Sequence, residues 1–254
     1  MKDQPLPLTT HLSELRSRVL RILIAWCAGS AAAWRWREDI FGVLLAPATN
    51  ALGEHAKLQA IAPTEIFFTY LQCALLAGFV FALPVFFWQV WAFVAPGLYP
   101  QEKRVALPFV LVSTALFLCG GWFGHAVVFP VIFGFFASFS SSFVEAAWTM
   151  SEVFGFSTRM LLAFGTGFEL PVVVFFLAYA GIVEPRRMLA GTKYFVLIAF
   201  ILGGVLTPPD PLSQSLLAGP LIALYLLGVG AAYLFVPKRE PEPDASALPS
   251  VIER

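Results

Sequence analysis

Charged residues are scarce in this chain. They make up 13% of its 254 residues, and the formal net charge is zero, whereas about one quarter of a typical soluble domain is charged. Because 59% of the residues are hydrophobic, so few charges could not cover a water-soluble body. The composition therefore favours a protein that crosses the bilayer several times, and the balanced charge gives no basic field that would indicate nucleic-acid binding.

Cysteine is also rare, and the motifs of common enzymes and metal sites are absent. The three cysteines, Cys27, Cys73 and Cys119, lie in apolar runs, which indicates small core residues rather than a disulfide framework. No GxxxxGK[ST], HExxH, CxxC or GxSxG pattern occurs, so nucleotide binding, zinc hydrolysis and serine catalysis have no visible basis. We therefore expect neither an enzyme nor a cofactor or metal.

Six apolar runs are candidates for spanning helices, each of which needs about 20 residues. They cover about residues 19–36, 67–93, 105–133, 154–183, 194–206 and 212–236. The fifth run is too short to cross the bilayer as a helix, because each residue adds only about 1.5 Å of length. It is therefore buried among neighbouring helices, or the bilayer is thinner around it. The sequence predicts an all-α polytopic membrane domain over residues 1–236, and the Pro-rich, charged tail 237–254 is expected to be disordered.

The first run could also be a cleavable signal peptide, because it has a basic start and the small residues GSAAA. Leucines at helical spacing before it, and five more runs after it, favour a retained helix. With a cytoplasmic N-terminus, twelve of the 16 basic residues fall in cytoplasmic segments, and the other side holds only Arg35, Arg37, Lys57 and Arg159. This asymmetry predicts six spans with both termini in the cytoplasm.

The fourth run contains a carboxylate, Glu169, in the stretch AFGTGFELPVV. A charge at mid-span costs on the order of 3 kcal/mol on insertion scales and usually faces a bundle interior or a wet cavity. Pro171 would clash with the Gly167 carbonyl in a straight helix, which predicts a kink. Glu169 is either a neutral acid bonded to a neighbouring helix or a polar spot that faces a cavity or a partner, and the second interpretation is favoured.

Two further acids lie on the predicted cytoplasmic face. Glu14, in HLSELRSR, is four residues before Arg18, which is the spacing of a helical ion pair. Glu102, in PGLYPQEKR, follows Pro100 and fits the first turn of a helix. Each acid therefore has an ordinary structural explanation. Two carboxylates on one membrane face could also bind a ligand that carries two adjacent arginines.

Other features indicate where helices begin and where they pack closely. Asp210, in TPPDPLSQ, precedes a proline and is predicted to cap the sixth span. Glu65, in APTEIFF, lies near the start of the second span. Gly120 and Gly124, in GGWFG, have the spacing that allows two helices to approach closely.

Six stretches, in order along nearly the whole chain, resemble the TatC family, the multispanning receptor core of twin-arginine protein translocation. They are HLSELRSRV, APTEIFF, LPVFFWQVWAFVAPGLYPQEKR, VVFPVIFGFF, FGTGFELPV and LTPPDPLSQ. The resemblance implies six helices curved into a concave bundle in the plasma (inner) membrane. It also implies that the last two helices are short and that both termini are cytoplasmic.

The resemblance assigns expected roles to individual residues. Glu14 and Glu102 correspond to the acids that bind the arginine pair of a signal peptide, and Arg16 and Pro96 are implied to shape the same surface. Glu169 corresponds to an intramembrane acid on the concave side that matters for the later steps of transport.

The resemblance also covers the external side and shows one departure. Asp210 and Gln214 correspond to the motif before the last helix. His125 stands where the third-span GxxFxY pattern of the family has Tyr, which puts any role of that hydroxyl in doubt and adds a group that can titrate near neutral pH.

The function implied is that of a receptor for the twin-arginine signal peptides of folded proteins. Its implied partners are TatB-like and TatA-like single-span subunits in an oligomeric complex, with export driven by the proton-motive force. One alternative is a proton-coupled small-solute transporter that uses Glu169 as a relay, although a single buried acid and the lack of an internal repeat weigh against it. A third interpretation is a purely structural scaffold, which would leave signal binding intact when both cytoplasmic acids are removed.

Overall fold

The computed structural model describes residues 8–53, 57–94, 106–141, 143 and 146–236. Within these ranges the secondary structure is helical, with one isolated bridge between Gln59 and Thr149. The α-helices are α1 Leu8–Ala33, α2 Arg37–Leu52, α3 Glu65–Val94, α4 Ala106–Phe123, α5 Phe129–Ala137, α6 Met150–Gly167, α7 Leu170–Tyr179, α8 Pro185–Leu206 and α9 Pro211–Phe235. A 3-10 turn, Trp34–Trp36, joins α1 to α2, and a π-helical turn, Gly124–Val128, joins α4 to α5.

In the described ranges, five helical stretches are long and apolar enough to cross a membrane. They are Glu65–Phe93, Leu107–Ala137, Met150–Tyr179, Pro185–Leu206 and Pro211–Phe235. The second of them runs through α4, the π turn and α5, and the third runs through α6 and α7. The predicted all-α polytopic membrane fold is therefore confirmed.

Helix α1 contains most of the first predicted span, whose last three residues form the 3-10 turn Trp34–Trp36. It is less apolar than these five stretches, so its crossing of the membrane stays a prediction. It packs closely on α3, because a Cβ atom added to Gly78 would lie 2.3 Å from the backbone nitrogen of Ser30. The Trp26 indole N–H also donates to the Leu75 carbonyl at 2.7 Å. Small residues thus let the two backbones approach, as they do in membrane helix pairs.

Helix α8 is longer than the apolar run that predicted the fifth span. It has 22 residues and begins at Pro185, which suits the first helical position because proline lacks an N–H. The Tyr225 hydroxyl of α9 donates to the Met188 carbonyl at 2.7 Å, near the start of α8. At about 1.5 Å per residue the whole helix could cross a bilayer, so the short run is the apolar part of a longer element.

Helix α2 is an element that hydropathy did not predict. It contains Pro47 and packs against α3 and α5. Its buried Leu45 joins a core formed with Phe129 of α5, Phe154 of α6 and Leu217 of α9. This core holds the helices together at the side of the molecule predicted to be external.

Candidate functional site

Glu169 lies at a break between α6 and α7. The Phe168 and Glu169 amides donate to the Phe164 and Thr166 carbonyls, which closes α6 with a tight turn. Pro171 then stands in the first turn of α7, where its missing N–H costs no helical hydrogen bond. The predicted kink is therefore present, and Glu169 lies in the break between the two helices.

A short line of polar side chains runs from α3 through α4 to Glu169. The Trp91 indole N–H of α3 donates to the Ser113 hydroxyl oxygen of α4 at 3.3 Å, and the Ser113 side chain lies beside the Glu169 carboxyl group. Ser113 is fully buried. One carboxyl oxygen of Glu169, Oε1, is buried without a partner in the part of the chain that the structure describes. The site can therefore accept one more donor.

Aromatic rings pack around Trp91, the first of these polar side chains. Trp91 stacks on Phe109 at a centroid distance of 4.7 Å and meets Phe176 of α7 edge-on at 5.1 Å. Gln89, also on α3, is only 7% exposed, and its carbonyl oxygen has no partner among the described residues. Sequence reasoning missed Trp91 and Ser113 as neighbours of Glu169. A polar side chain inside an apolar run, the signal that identified Glu169, would have found Ser113.

On the predicted cytoplasmic side, Glu14 of α1 pairs with Arg18 one helical turn away. The ion pair anticipated from the spacing is formed, and its Glu14 side chain is 45% exposed whereas its Arg18 side chain is 15% exposed, so the carboxylate remains accessible to solvent. Arg16 is exposed on the same helix. Glu102 and Pro96 lie outside the described residues, so the structure places only half of the predicted arginine-binding pair.

The two residues of the external motif hold the turn between α8 and α9. Asp210 Oδ1 accepts the Ser213 amide at 2.8 Å, as predicted for an N-cap. The Gln214 side-chain amide donates to the Phe200 carbonyl of α8 at 2.7 Å. Gln214 also packs on Gly203, where an added Cβ atom would lie 2.9 Å from its Cγ atom. In the described structure, this motif ties two helices together.

Glu65, at the start of α3, binds backbone from two parts of the chain. Its Oε2 accepts the Ile61 and Ala62 amides at 2.7 and 3.3 Å, and its Oε1 accepts the Ser151 amide of α6 at 2.9 Å. Nearby, the Gln59 amide donates to the Trp148 carbonyl at 2.9 Å. Glu65 therefore joins the beginnings of two spans, a role that its position in APTEIFF alone did not reveal.

These sites do not form one cluster. Glu14 lies near the start of α1, Glu169 at the α6–α7 break and Asp210 at the α8–α9 turn, and no contact among the three appears in the described ranges. The same ranges contain no group of three or more His, Cys, Asp and Glu side chains that could hold a metal ion. The three acids can therefore accept hydrogen bonds at separate sites, each independently of the others.

Comparisons with known proteins agree with this fold. The family model described as Sec-independent protein translocase protein (TatC) matches residues 10–220. The chain is 40% identical over 252 residues to the Sec-independent protein translocase protein TatC of Desulforapulum autotrophicum, covering 99% of this chain and 93% of that protein. It is 36% identical over 232 residues to the protein of the same name from Escherichia coli, covering 91% and 90%.

A solved structure agrees as well. The fold matches a crystal structure of the twin arginine translocase receptor TatC with a TM-score of 0.80 and 34% identity, over 88% of this chain and 98% of that chain. The similarity of sequence and fold over nearly the whole length confirms the resemblance. It also confirms the prediction that the chain is a multi-pass membrane protein. The chain therefore belongs to the TatC family of Sec-independent protein translocase proteins, which are translocation components and not enzymes.

Proposed function

We propose that this chain is the receptor of a twin-arginine translocation system and binds the signal peptides of folded proteins. The observation that carries the proposal is the exposed carboxylate of Glu14 on α1, in a chain of this family. A carboxylate and a guanidinium form two parallel charge-assisted hydrogen bonds. Glu14 and Glu102 would each hold one arginine of the signal, and Arg16 and Pro96 would shape the surface around them.

The ion pair with Arg18 gives Glu14 a resting partner. Ion pairs one helical turn apart contribute only about 0.2–0.5 kcal/mol. A signal arginine can therefore replace the Arg18 guanidinium on Glu14 at little cost. Arg18 then acts as a competitor, so its removal is expected to strengthen signal binding.

The orientation and the partners complete the proposal. The basic residues support six spans with both termini in the cytoplasm. Membership of the family supports a plasma (inner) membrane location and a concave six-helix bundle. Single-span subunits of the TatB and TatA type would dock on its helices in an oligomeric complex, with the proton-motive force driving export. Glu169, with one free carboxyl oxygen, would serve the later steps by accepting a donor from a partner or from the signal.

Photocrosslinking tests this proposal directly. A photoreactive amino acid next to Glu14, Glu102 or Glu169, with the acid itself retained, is exposed to a signal peptide with RR or with KK at its arginine pair. We expect RR-dependent crosslinks at the first two positions. The same probe at Glu38, which follows the opposite end of α1 from Glu14, serves as the control. Equal crosslinking of both peptides at every position would contradict the proposal.

A further inference from the structure

A cleft of about 510 Å³ opens beside the start of α6. Phe133 and Phe136 of α5 form one wall, and Val205 and Leu206 at the end of α8 form another. Among the described residues that line it, only two are charged, Glu152 and Arg159 of α6. The cleft thus combines apolar walls with one acid and one base.

The two charges lie on one face of α6 but do not pair. They are seven residues apart, close to two full turns, which separates them by about 10 Å along the helix axis. No carboxylate oxygen of the described residues lies within 4 Å of the Arg159 guanidinium, and Glu152 has no cationic partner there either. Both side chains are exposed. Each charge is therefore available to a ligand.

Arg159 stands well inside a stretch that crosses the membrane, Met150–Tyr179. An arginine at that depth is costly unless it reaches a polar partner. Helical side chains lean toward the N-terminus, so Arg159 reaches back toward the membrane surface at which α6 begins. Glu152, in the first turn, lies closer to that surface. The cleft therefore places a base deeper in the membrane and an acid closer to the surface at which α6 begins.

This order matches one class of ligand. In a phospholipid with an ethanolamine headgroup, the phosphate lies deeper in the leaflet and the primary ammonium lies nearer the water, with the acyl chains leading away from the surface. We propose that the cleft binds one such phospholipid. Arg159 holds the phosphate, Glu152 accepts a hydrogen bond from the ammonium, and the apolar walls cover the beginning of an acyl chain.

A further unsatisfied group supports the site. The Thr149 hydroxyl lines the cleft and is buried without a partner in the described part of the chain. It can donate to a phosphate or glycerol oxygen. Free phosphate would leave the apolar walls in water, and a headgroup without an ammonium would leave Glu152 unpaired. A quaternary ammonium has no N–H to donate. The ethanolamine phospholipid satisfies all of these groups together.

Native mass spectrometry of the purified full chain tests the proposal. The protein is mixed with phosphatidylethanolamine, phosphatidylglycerol or phosphatidylcholine of the same acyl composition, and the retained lipid is counted. The wild type is expected to retain phosphatidylethanolamine preferentially. Arg159→Gln should retain about tenfold less of it, the loss expected for one charge-assisted contact. Glu152→Gln should lose the preference over phosphatidylglycerol.

Two control variants separate binding from folding. Arg35→Gln removes an exposed arginine outside the cleft and should behave as the wild type. Arg159→Lys keeps the positive charge and should retain most of the lipid. Equal retention by the wild type and Arg159→Gln would overturn the proposal. Wild-type retention that does not distinguish ethanolamine from glycerol headgroups would overturn it as well.

Discussion

The Nε2 atom of His125 lies 2.9 Å from the carbonyl oxygen of Val43 on α2. Four residues after Val43 comes Pro47, which has no N–H, so this carbonyl lacks its usual helical donor. His125 supplies a donor in its place when its proton is on Nε2. A tyrosine hydroxyl can also donate, so the departure from the GxxFxY pattern preserves a hydrogen-bonding group at this position.

We expect His125→Leu to lower the free energy of unfolding by about 1 kcal/mol, since it removes one hydrogen bond to a carbonyl between helices. His125→Tyr should keep most of that stability. Thermal unfolding in detergent measures both. Pro47→Ala returns an N–H to α2, so the loss caused by His125→Leu should be smaller in that background. An equal loss in both backgrounds would contradict the assignment.

Gly120 is expected to be intolerant of even a small side chain. A Cβ atom there would lie 2.4 Å from the backbone oxygen of Phe164, so α4 and α6 would have to separate. At Gly121 an added Cβ atom would meet Leu161 no closer than 3.6 Å. Gly120→Ala should therefore cost about 1–3 kcal/mol of stability, whereas Gly121→Ala should be nearly neutral. Similar melting temperatures for the two variants would refute the close approach.

Glu65→Ala should lower the melting temperature of the membrane domain, because it leaves three backbone amides without their charged acceptor. Glu38→Ala is the control, since Glu38 makes an exposed pair with its neighbour Arg37 and should change stability by less than about 1 kcal/mol. Thermal unfolding of both variants measures the difference. The assignment fails if Glu65→Ala melts with the control.

Gly120 and Gly124 show what the sequence could and could not predict. Their spacing in GGWFG correctly indicated close packing, because small residues in a span serve few other purposes. Phe164, the residue on which both glycines pack, could not be predicted, because the spacing of residues along one helix does not specify which other helix it contacts. The Asp210 cap was predicted correctly for a similar reason, because capping depends only on residues a few positions away.

Helix α2 and the Ser113 contact illustrate the limits. Hydropathy reports which segments fill a bilayer, so it could not separate a partly buried helix such as Arg37–Leu52 from a loop. Glu169 was found because a carboxylate is conspicuous in an apolar run. Its link through Ser113 to Trp91 depends on how three helices meet, which only the structure provides.

Export is expected to depend on the polar chain at Glu169. Glu169→Ala should abolish export of a reporter that carries an RR signal while leaving signal crosslinking at Glu14 intact, because the two sites are separate. Ser113→Ala should reduce export partially, since it removes the hydroxyl group beside Glu169. Thr166→Ala is the control, because that hydroxyl bonds to carbonyls of its own helix. Full export by Glu169→Ala would contradict the proposed role.

The most direct test of the receptor proposal is the affinity of an RR signal peptide for the full chain in nanodiscs. We expect Glu14→Gln to weaken binding about tenfold, since it removes one charge-assisted pair, and Arg18→Gln to leave it equal or tighter, since it removes the competing guanidinium. A KK peptide should bind more weakly to the wild type. If the dissociation constant were the same for the wild type and Glu14→Gln, the central claim that this carboxylate grips a signal arginine would be wrong.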